Sequence, residues 1–306
     1  YLDSIRGIII TNLMTISVLG IFVADLVFFG KKIPDEGETI LGNNFVIGPG
    51  GKGSNQAVAA AKAGVKTHFI SKIGDDQFGQ MAKKIYDEAK VDYSNVIISN
   101  EHSTGAAAIM VNEQSGANAI NVFPGAAGAI TNSDIDNAEE AIKNSKIFLT
   151  QLEAPKDTVM YAIKKAKELG VQTILNPAPA ADIDKSIFPF IDYFTPNETE
   201  ASFYVDHPVE TLDDASKAAK TLIDRGIKNV IITLGEKGAY FANANETFSS
   251  PIANLSNPVV DTTGAGDAFN AGFAAALTEG QNIKDAIAFA SATAGLSTTK
   301  IGTANS

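Results

Sequence analysis

Between Ile147 and Thr233 the chain repeats one beat: a short apolar run, a polar turn, then a longer stretch with apolar positions three and four apart. The runs are "KIFLTQLE", "VQTILNPAP", "IDYFTPN" and "KNVIITLG"; the periodic stretches are "KDTVMYAIKKAKELG", "ETEASFYV" and "DDASKAAKTLIDRG". Short apolar runs without alternation predict strands buried on both faces, and the wider spacing predicts amphipathic helices. The same beat starts upstream. "TISVLGIFVADLVFF" (Thr15–Phe29) predicts a buried strand running into an extended segment. "SNQAVAAAKAG" predicts a small-residue helix stopped by Gly64, "KTHFISKIG" a strand, and "DQFGQMAKKIYDEAK" a helix. Strand, helix and strand with short links predict an α/β fold: a mainly parallel sheet with helices on both faces.

Two stretches break the beat. "GKKIPDEGETILGNNFVIG" (Gly30–Gly48) and "STGAAAIMVNEQSGANAINVF" (Ser103–Phe123) carry Gly, Asn and Pro turns between strand-like arms. They predict β-hairpins forming a small sheet that projects from the main one. Within the regular part, four runs end at a turn with Glu153, Asn176, Asn197 and Gly235. Ligands of open parallel sheets bind beyond the carboxyl ends of strands. These four residues therefore mark one edge as a candidate site, although each alone reads equally as a solvent contact.

The 306 residues are 45% hydrophobic, enough for a substantial core. The formal net charge of −11 argues against nucleic acid or an anionic membrane as partner. It leaves room for a phosphate ligand, which backbone amides and a metal can hold. Cysteine is absent, which removes disulfides, thiolate nucleophiles and Cys-type zinc sites. His68, His102 and His207 lie far apart without metal-ligand spacing. The apolar N-terminal stretches are broken by Asn12, Thr15, Ser17 and Asp25, short of the roughly 18 uninterrupted residues of a membrane span. Asp3 precedes Arg6 and no small-residue cleavage site follows, so a cytoplasmic protein is expected.

Two glycine clusters carry the candidate chemistry. "GPGGKGSNQAVAAA" is not a Walker A loop, because Val46 stands where its first glycine belongs and Gly53 follows Lys52. "GAGDAF" is not a dinucleotide fingerprint, since its third glycine position is Phe269 and only about forty residues follow. Gly264, Ala265 and Gly266 instead let backbone N–H groups approach a ligand, at the mouth of a helix whose first amides lack internal partners. Asp267 behind them reads in two ways. It is an acid supporting the helix dipole, or a base taking the proton from a hydroxyl that attacks phosphorus.

"GGKGSNQAVAAAKAG" (Gly50–Gly64) and "DTTGAGDAFNAGF" (Asp261–Phe273) resemble the two signatures of the ribokinase family of carbohydrate kinases. "PDEGET", "TQLEAP", "NPAPA", "TPNETE" and "TLGEKGAY" follow in the family's order, so the resemblance covers the chain from about residue 16 onward. It implies a three-layer α/β/α domain over residues 16–306 with a β-sheet lid, here segments 24–47 and 104–122, and pairing of two chains through the lids. It implies ATP-dependent phosphorylation of a pentose at its primary hydroxyl, with Mg²⁺ and a potassium-type monovalent cation. Asp267 matches the catalytic base, and Gly264, Ala265 and Gly266 match the anion hole. Val23, Ala24, Asp25, Gly51, Lys52, Gly53, Ser54, Asn55 and Glu153 fall at the sugar site. Carboxylates and amides suit the directional hydroxyls of a sugar. Asn197 and Glu200 match positions that organise Mg²⁺ and its waters, an ion that keeps much of its hydration. Thr233, Leu234, Gly235, Glu236, Lys237 and Gly238 match the nucleotide stretch together with Gly266, and Ser291 falls where the family contacts adenine. Asp261, Thr263, Ser297, Lys300, Gly302 and Ser306 match the monovalent-cation site, Lys300 through its carbonyl.

Three features depart from the family. Val23 stands where ribose-specific members carry an asparagine, and members resembling 2-deoxyribokinase carry an apolar residue there. Residues 1–15 have no counterpart and are expected to be an appended leader. Members usually continue with a closing helix beyond the position of Ser306, so part of the chain is expected to be missing there. A non-catalytic sugar sensor on the same fold is the rival reading. The intact Asp267 and glycine turn speak against it, as "NPAPA" does against a nucleoside kinase.

Overall fold

Consecutive apolar residues of the buried runs go to opposite sides. Ile147 and Leu149 pack in one hydrophobic cluster and Phe148 in another; Ile231 joins the first, Val230 and Ile232 the second. Alternation of Cβ along a strand requires both faces of such a sheet to be covered. The computed structural model describes residues 14–255, 257–300 and 302–303 and shows that cover.

In chain order the strands are β1 (Thr15–Leu19), β2 (Val23–Gly30), β3 (Asn44–Gly50), β4 (Lys66–Gly74), β5 (Asp92–Ser99), β6 (Thr104–Asn112), β7 (Asn118–Gly125), β8 (Ile147–Thr150), β9 (Gln172–Leu175), β10 (Tyr193–Phe194), β11 (Asn229–Thr233), β12 (Ala239–Asn243) and β13 (Thr247–Ser250). The helices are α1 (Lys52–Lys62), α2 (Gln77–Ala89), α3 (Asn132–Asn137), α4 (Glu139–Lys143), α5 (Lys156–Glu168), α6 (Glu198–Val205), α7 (Leu212–Asp224), α8 (Ala265–Thr278) and α9 (Ile283–Ser297). Nine strands form the main sheet in the order β13-β12-β11-β10-β9-β8-β1-β4-β5. All pair in parallel except β11 with β12 and β12 with β13. Buried residues of α1, α2, α8 and α9 line one face (Val58, Ile85, Phe273, Ile287), and those of α3 to α7 the other (Ile135, Ile163, Ala201, Leu222). This is the expected three-layer α/β/α arrangement.

Strands β8, β9, β10 and β11 are successive parallel neighbours. Glu153, Asn176, Asn197 and Gly235 therefore follow their carboxyl ends on one edge, as the turn pattern predicts.

The small sheet has the order β3-β2-β6-β7. Its second hairpin matches expectation, with β6 and β7 antiparallel around Gly116 at φ 73°. The first hairpin differs. Its arms are Val23–Phe29 and Asn44–Gly50, and residues 31–43 merely connect them. Pro34 has no N–H for a ladder, and Gly37 turns the chain at φ 78°. Within Thr15–Phe29 the predicted buried strand is β1, in the main sheet, and the extended segment that follows is β2, in the small one. Of the expected leader, residues 1–13 lie outside the described residues, and Thr15 already belongs to β1. No helix among the described residues is long and apolar enough to cross a membrane.

Candidate active site

Helix α8 begins at the glycine turn. Gly264 occupies its N-cap position at φ 79°, a left-handed conformation that disfavours any side chain. The N–H of Ala265 donates to the Thr262 carbonyl at 3.2 Å. Gly266 and Asp267 lie in the first turn, where an α-helix offers their amides no acceptor. A Cβ added at Gly266 would meet nothing within 4 Å, so this part of the turn faces open space.

The Asp267 side chain points inward and is buried. Its Oδ2 accepts from Asn55 Nδ2 at 3.0 Å and its Oδ1 from Gln56 Nε2 at 3.0 Å. Burial pushes its pKa up, while the Lys52 ammonium and these two hydrogen bonds pull it down. A cleft of about 460 Å³ opens beside α8 and α9, lined by residues including Asn55, Gly264, Asp267, Ser297, Lys300 and Thr303.

The N-terminus of α1 brings the second cluster to the same place. Gly51 is its N-cap, and the Lys52 amide donates to Glu153 Oε2 at 2.7 Å. A carboxylate from the end of β8 thus satisfies a first-turn N–H of a distant helix. Asp25, on β2, lies against Gly50: a Cβ at Gly50 would meet its carboxylate at 2.3 Å, so this contact admits no side chain. Burial, then the Asp267 charge, pushes Asp25 up to about 6. Burial pushes Glu153 up to about 7, opposed by Lys52 and reinforced by Asp267. The Lys52 ammonium also loses solvation, but Asp267, Glu153 and Glu200 together outweigh that loss and raise its pKa. One cation thus stands among several carboxylates that burial alone would neutralise.

On the neighbouring strand ends, Asn197 and Glu200 form a reciprocal capping box at the start of α6. Thr233 donates its N–H to the Pro196 carbonyl at 3.0 Å, so the loop after β11 starts beside this helix. The Asp261 carboxylate ties two loops, accepting from the Thr263 amide at 2.9 Å and the Gly302 amide at 3.0 Å. Those backbone donors hold its pKa below the usual range despite partial burial.

The chain matches the pfkB family of carbohydrate kinases over residues 14–306. It is 39% identical over 292 residues to the ribokinase of Haemophilus influenzae, covering 95% of this chain and 94% of that protein. It is 38% identical over 294 residues to the deoxyribokinase of Salmonella typhi, covering 96% and 95%. The chain belongs to the pfkB family of carbohydrate kinases. Among solved structures, it superposes on Arabidopsis thaliana ribokinase complexed with ribose and ATP with a TM-score of 0.89, at 33% identity over 95% of this chain and 94% of that one. The Thermotoga maritima ribokinase gives 0.86 at 35% identity, with 95% of each chain covered.

Within this carbohydrate kinase, Asp25, Lys52, Asn55, Glu153 and Asp267 converge, with Gly51 and Gly53 in the opening turn of α1. Other expected residues stand elsewhere. The Ser54 hydroxyl accepts from Tyr86 in the interior at 3.1 Å. Ala24 is fully buried, and Val23, 3% exposed, packs in the core cluster beside Gly105. The Leu234 side chain is core, and its N–H donates to the Gly238 carbonyl at 2.8 Å. Glu236 is exposed, and the Lys237 ammonium rests on the Glu210 carbonyl. Ser291 lies on α9 between the cleft residues Phe289 and Ala292. Ser306 lies outside the described residues.

Sequence reasoning missed Gln56, Gln151, Thr195 and Asn270 as site residues. All four are buried and hydrogen-bonded beneath Asp267 or the glycine turn. The available signal was an amide inside an otherwise small, apolar helix, as in "QAVAAA" and "FNAGF".

Proposed function

We propose that this carbohydrate kinase transfers the γ-phosphoryl group of ATP to the primary hydroxyl of a pentose, D-ribose giving D-ribose 5-phosphate. The observation that carries this reading is Asp267: a buried carboxylate held by two amide donors, directly behind an open glycine turn. Its oxygens accept without donating, which suits removal of the hydroxyl proton as the oxygen attacks phosphorus. The new O–P bond forms as the bond to the ADP oxygen breaks. First-turn amides at Gly266 and Asp267 face the charge that develops on the transferred group. Asp25, Asn55 and Glu153 are the sugar-hydroxyl partners on this reading. The names of its relatives, and the likeness to a ribokinase carrying ribose and ATP, support it.

The nucleotide takes the cleft beside α9 near Ser291 and the loop Thr233–Gly238. Leu234 contributes backbone only, since its side chain is core. Among the described residues no group of three His, Cys, Asp or Glu side chains is disposed to hold a metal ion. Asn197 and Glu200 spend their first hydrogen bonds on each other, and their remaining lone pairs fit the waters of a hydrated Mg²⁺. Such an ion supplies charge neutralisation at the phosphates. The Asp261 loop fits a monovalent cation through Asp261 and the carbonyls near Thr263, Ser297, Lys300 and Gly302. The small sheet acts as the lid, residues 24–47 and 104–122, on a domain from about residue 16 onward. Its apolar exposed side chains, Phe28, Phe45, Ile47, Ile120 and Val122, support pairing of two chains, a cover for edges that otherwise invite aggregation. Sugar, ATP and a second copy are its partners, in the cytoplasm where ATP is available.

A specific observation favours 2-deoxyribose as a second reading. Val23 stands two residues before Asp25 on β2, and its cross-strand partners on both sides are glycines, Gly50 and Gly105, so neither partner brings a polar side chain to a hydroxyl there. The deciding experiment measures ADP release with ATP across a sugar panel including D-ribose and 2-deoxy-D-ribose, and identifies the phosphorylated carbon. Phosphate on the primary hydroxyl of ribose is expected. Sugar-independent ADP release, or phosphate at the anomeric position, would overturn the reading.

A further inference from the structure

Beneath Asp267 runs a chain of buried amides drawn from separate parts of the fold. Gln56 Nε2 donates to Asp267 Oδ1 at 3.0 Å and to Asn176 Oδ1 at 3.1 Å. Gln56 Oε1 accepts from Gln151 Nε2 at 2.5 Å. Asn176 Nδ2 donates to the Thr195 carbonyl at 3.0 Å. The Thr195 hydroxyl donates to Asn270 Oδ1 at 2.5 Å, and Asn270 Nδ2 to the Gly266 carbonyl at 2.9 Å. Gln56 is fully buried, Gln151 1% exposed and Asn176 6%.

The far end of this chain dictates its polarity. A backbone carbonyl can only accept, so Asn176 must turn its NH₂ toward Thr195 and its oxygen toward Gln56. Gln56 must then present its NH₂, and the second hydrogen of that group falls on Asp267. Gln151 reinforces the choice by donating to the Gln56 oxygen. The reversed amide would set oxygen against oxygen at both Asn176 and Asp267, a costly arrangement inside a dry interior.

We propose that Gln56, locked by Asn176 and Gln151, is a positioning residue that orients the Asp267 carboxylate and holds it in the acceptor-only form. This rests on the kinase reading only for its catalytic consequence. The fixed NH₂ fills one lone pair of Oδ1 and Asn55 fills one of Oδ2, so the carboxylate plane is set by two helix residues. The charged groups in whose field Asp267 stands are Lys52, which favours its charge, and Asp25, Glu153 and Glu200, which oppose it. Gln56 adds a neutral donor on the favouring side.

The test substitutes Gln56→Met, similar in length but without the donor, and reads two quantities. The first is the titration of Asp267 by carbon NMR of aspartate labelled at the carboxyl, assigned by the resonance lost in Asp267→Asn. Its midpoint is expected to rise by about one unit. The second is kinetic: kcat is expected to fall about ten- to a hundredfold, with KM for sugar and ATP within about twofold and the acid limb of the kcat profile displaced upward. A merely structural role would lower Tm and leave the Asp267 midpoint in place, and that result in a folded variant overturns the proposal. Should Gln56→Met fail to fold, Asn176→Ala removes the next link. It is expected to move the midpoint in the same direction, and an unmoved midpoint there overturns the proposal equally. A wild-type chain without sugar kinase activity would sink the kinase reading, while the titration would still decide the relay.

Discussion

Two aspartates share the stretch "DTTGAGDAF", and the fold treats them oppositely. Asp267 is buried, its partners are side-chain amides, and burial raises its pKa. Asp261 is half-exposed, its partners are backbone amides of two loops, and they lower its pKa. On the proposed reading the first carboxylate exchanges a proton, whereas the second is tied to the backbone of two chain segments. Environments that push the pKa values of neighbouring carboxylates apart assign them different work.

The harshest way to break this contrast is Asp267→Asn. It keeps the shape and part of the hydrogen bonding but removes the proposed base. Turnover is expected to fall roughly 10²–10⁴-fold, while calorimetry still detects sugar and nucleotide binding. Near-wild-type turnover would reduce Asp267 to a helix-dipole acid.

Asp261→Ala probes the opposite partner. It cuts the ties to Thr263 and Gly302, and Gly302 is followed by Thr303, whose hydroxyl donates to the Pro49 carbonyl of the small sheet at 3.2 Å. A loss of about tenfold in kcat, the equivalent of one charge-assisted hydrogen bond, is expected. With it should go any response to replacing a bulky organic cation by K⁺ at constant ionic strength. A K⁺ response that persists in the variant would remove the cation from this loop.

Glu153 extends the buried half of the comparison to stability. Its pKa is raised to about 7 in the fold, so the folded state holds its proton longer than the unfolded chain. Stability from this group is present below its unfolded pKa and is lost as pH rises toward 7. Denaturation of Glu153→Gln should therefore show a gain on the order of 1 kcal/mol over wild type at pH 8, closing toward pH 4. A gain independent of pH would mean that the charge is not the cause.

Val23→Asn is the mildest probe. If Val23 selects against a hydroxyl, the substitution should move kcat/KM for ribose over 2-deoxyribose about two- to threefold toward ribose. An unchanged ratio would place the choice of sugar elsewhere in the pocket.

The repeating beat of apolar runs and helical spacing dictated the layered sheet, because burial on two faces leaves a local mark at every strand. The motif "DTTGAGDAFNAGF" marked the turn and its aspartate, since only small residues allow so tight a helix start. Local pattern misplaced the first hairpin: Gly30 onward carries turn residues, yet the pairing begins at Val23, where the strand leaves one sheet for another. Nothing local distinguished the fates of Asp261 and Asp267 or marked Gln151 and Thr195, and an amide inside a small, apolar helix was the one local hint of Gln56 and Asn270. Their roles rest on hydrogen bonds between distant segments, as from Gln56 to Asp267, 211 positions apart. Solvation and amide orientation are set by whichever atoms the fold brings within about 3 Å, and only the tertiary structure chooses those atoms.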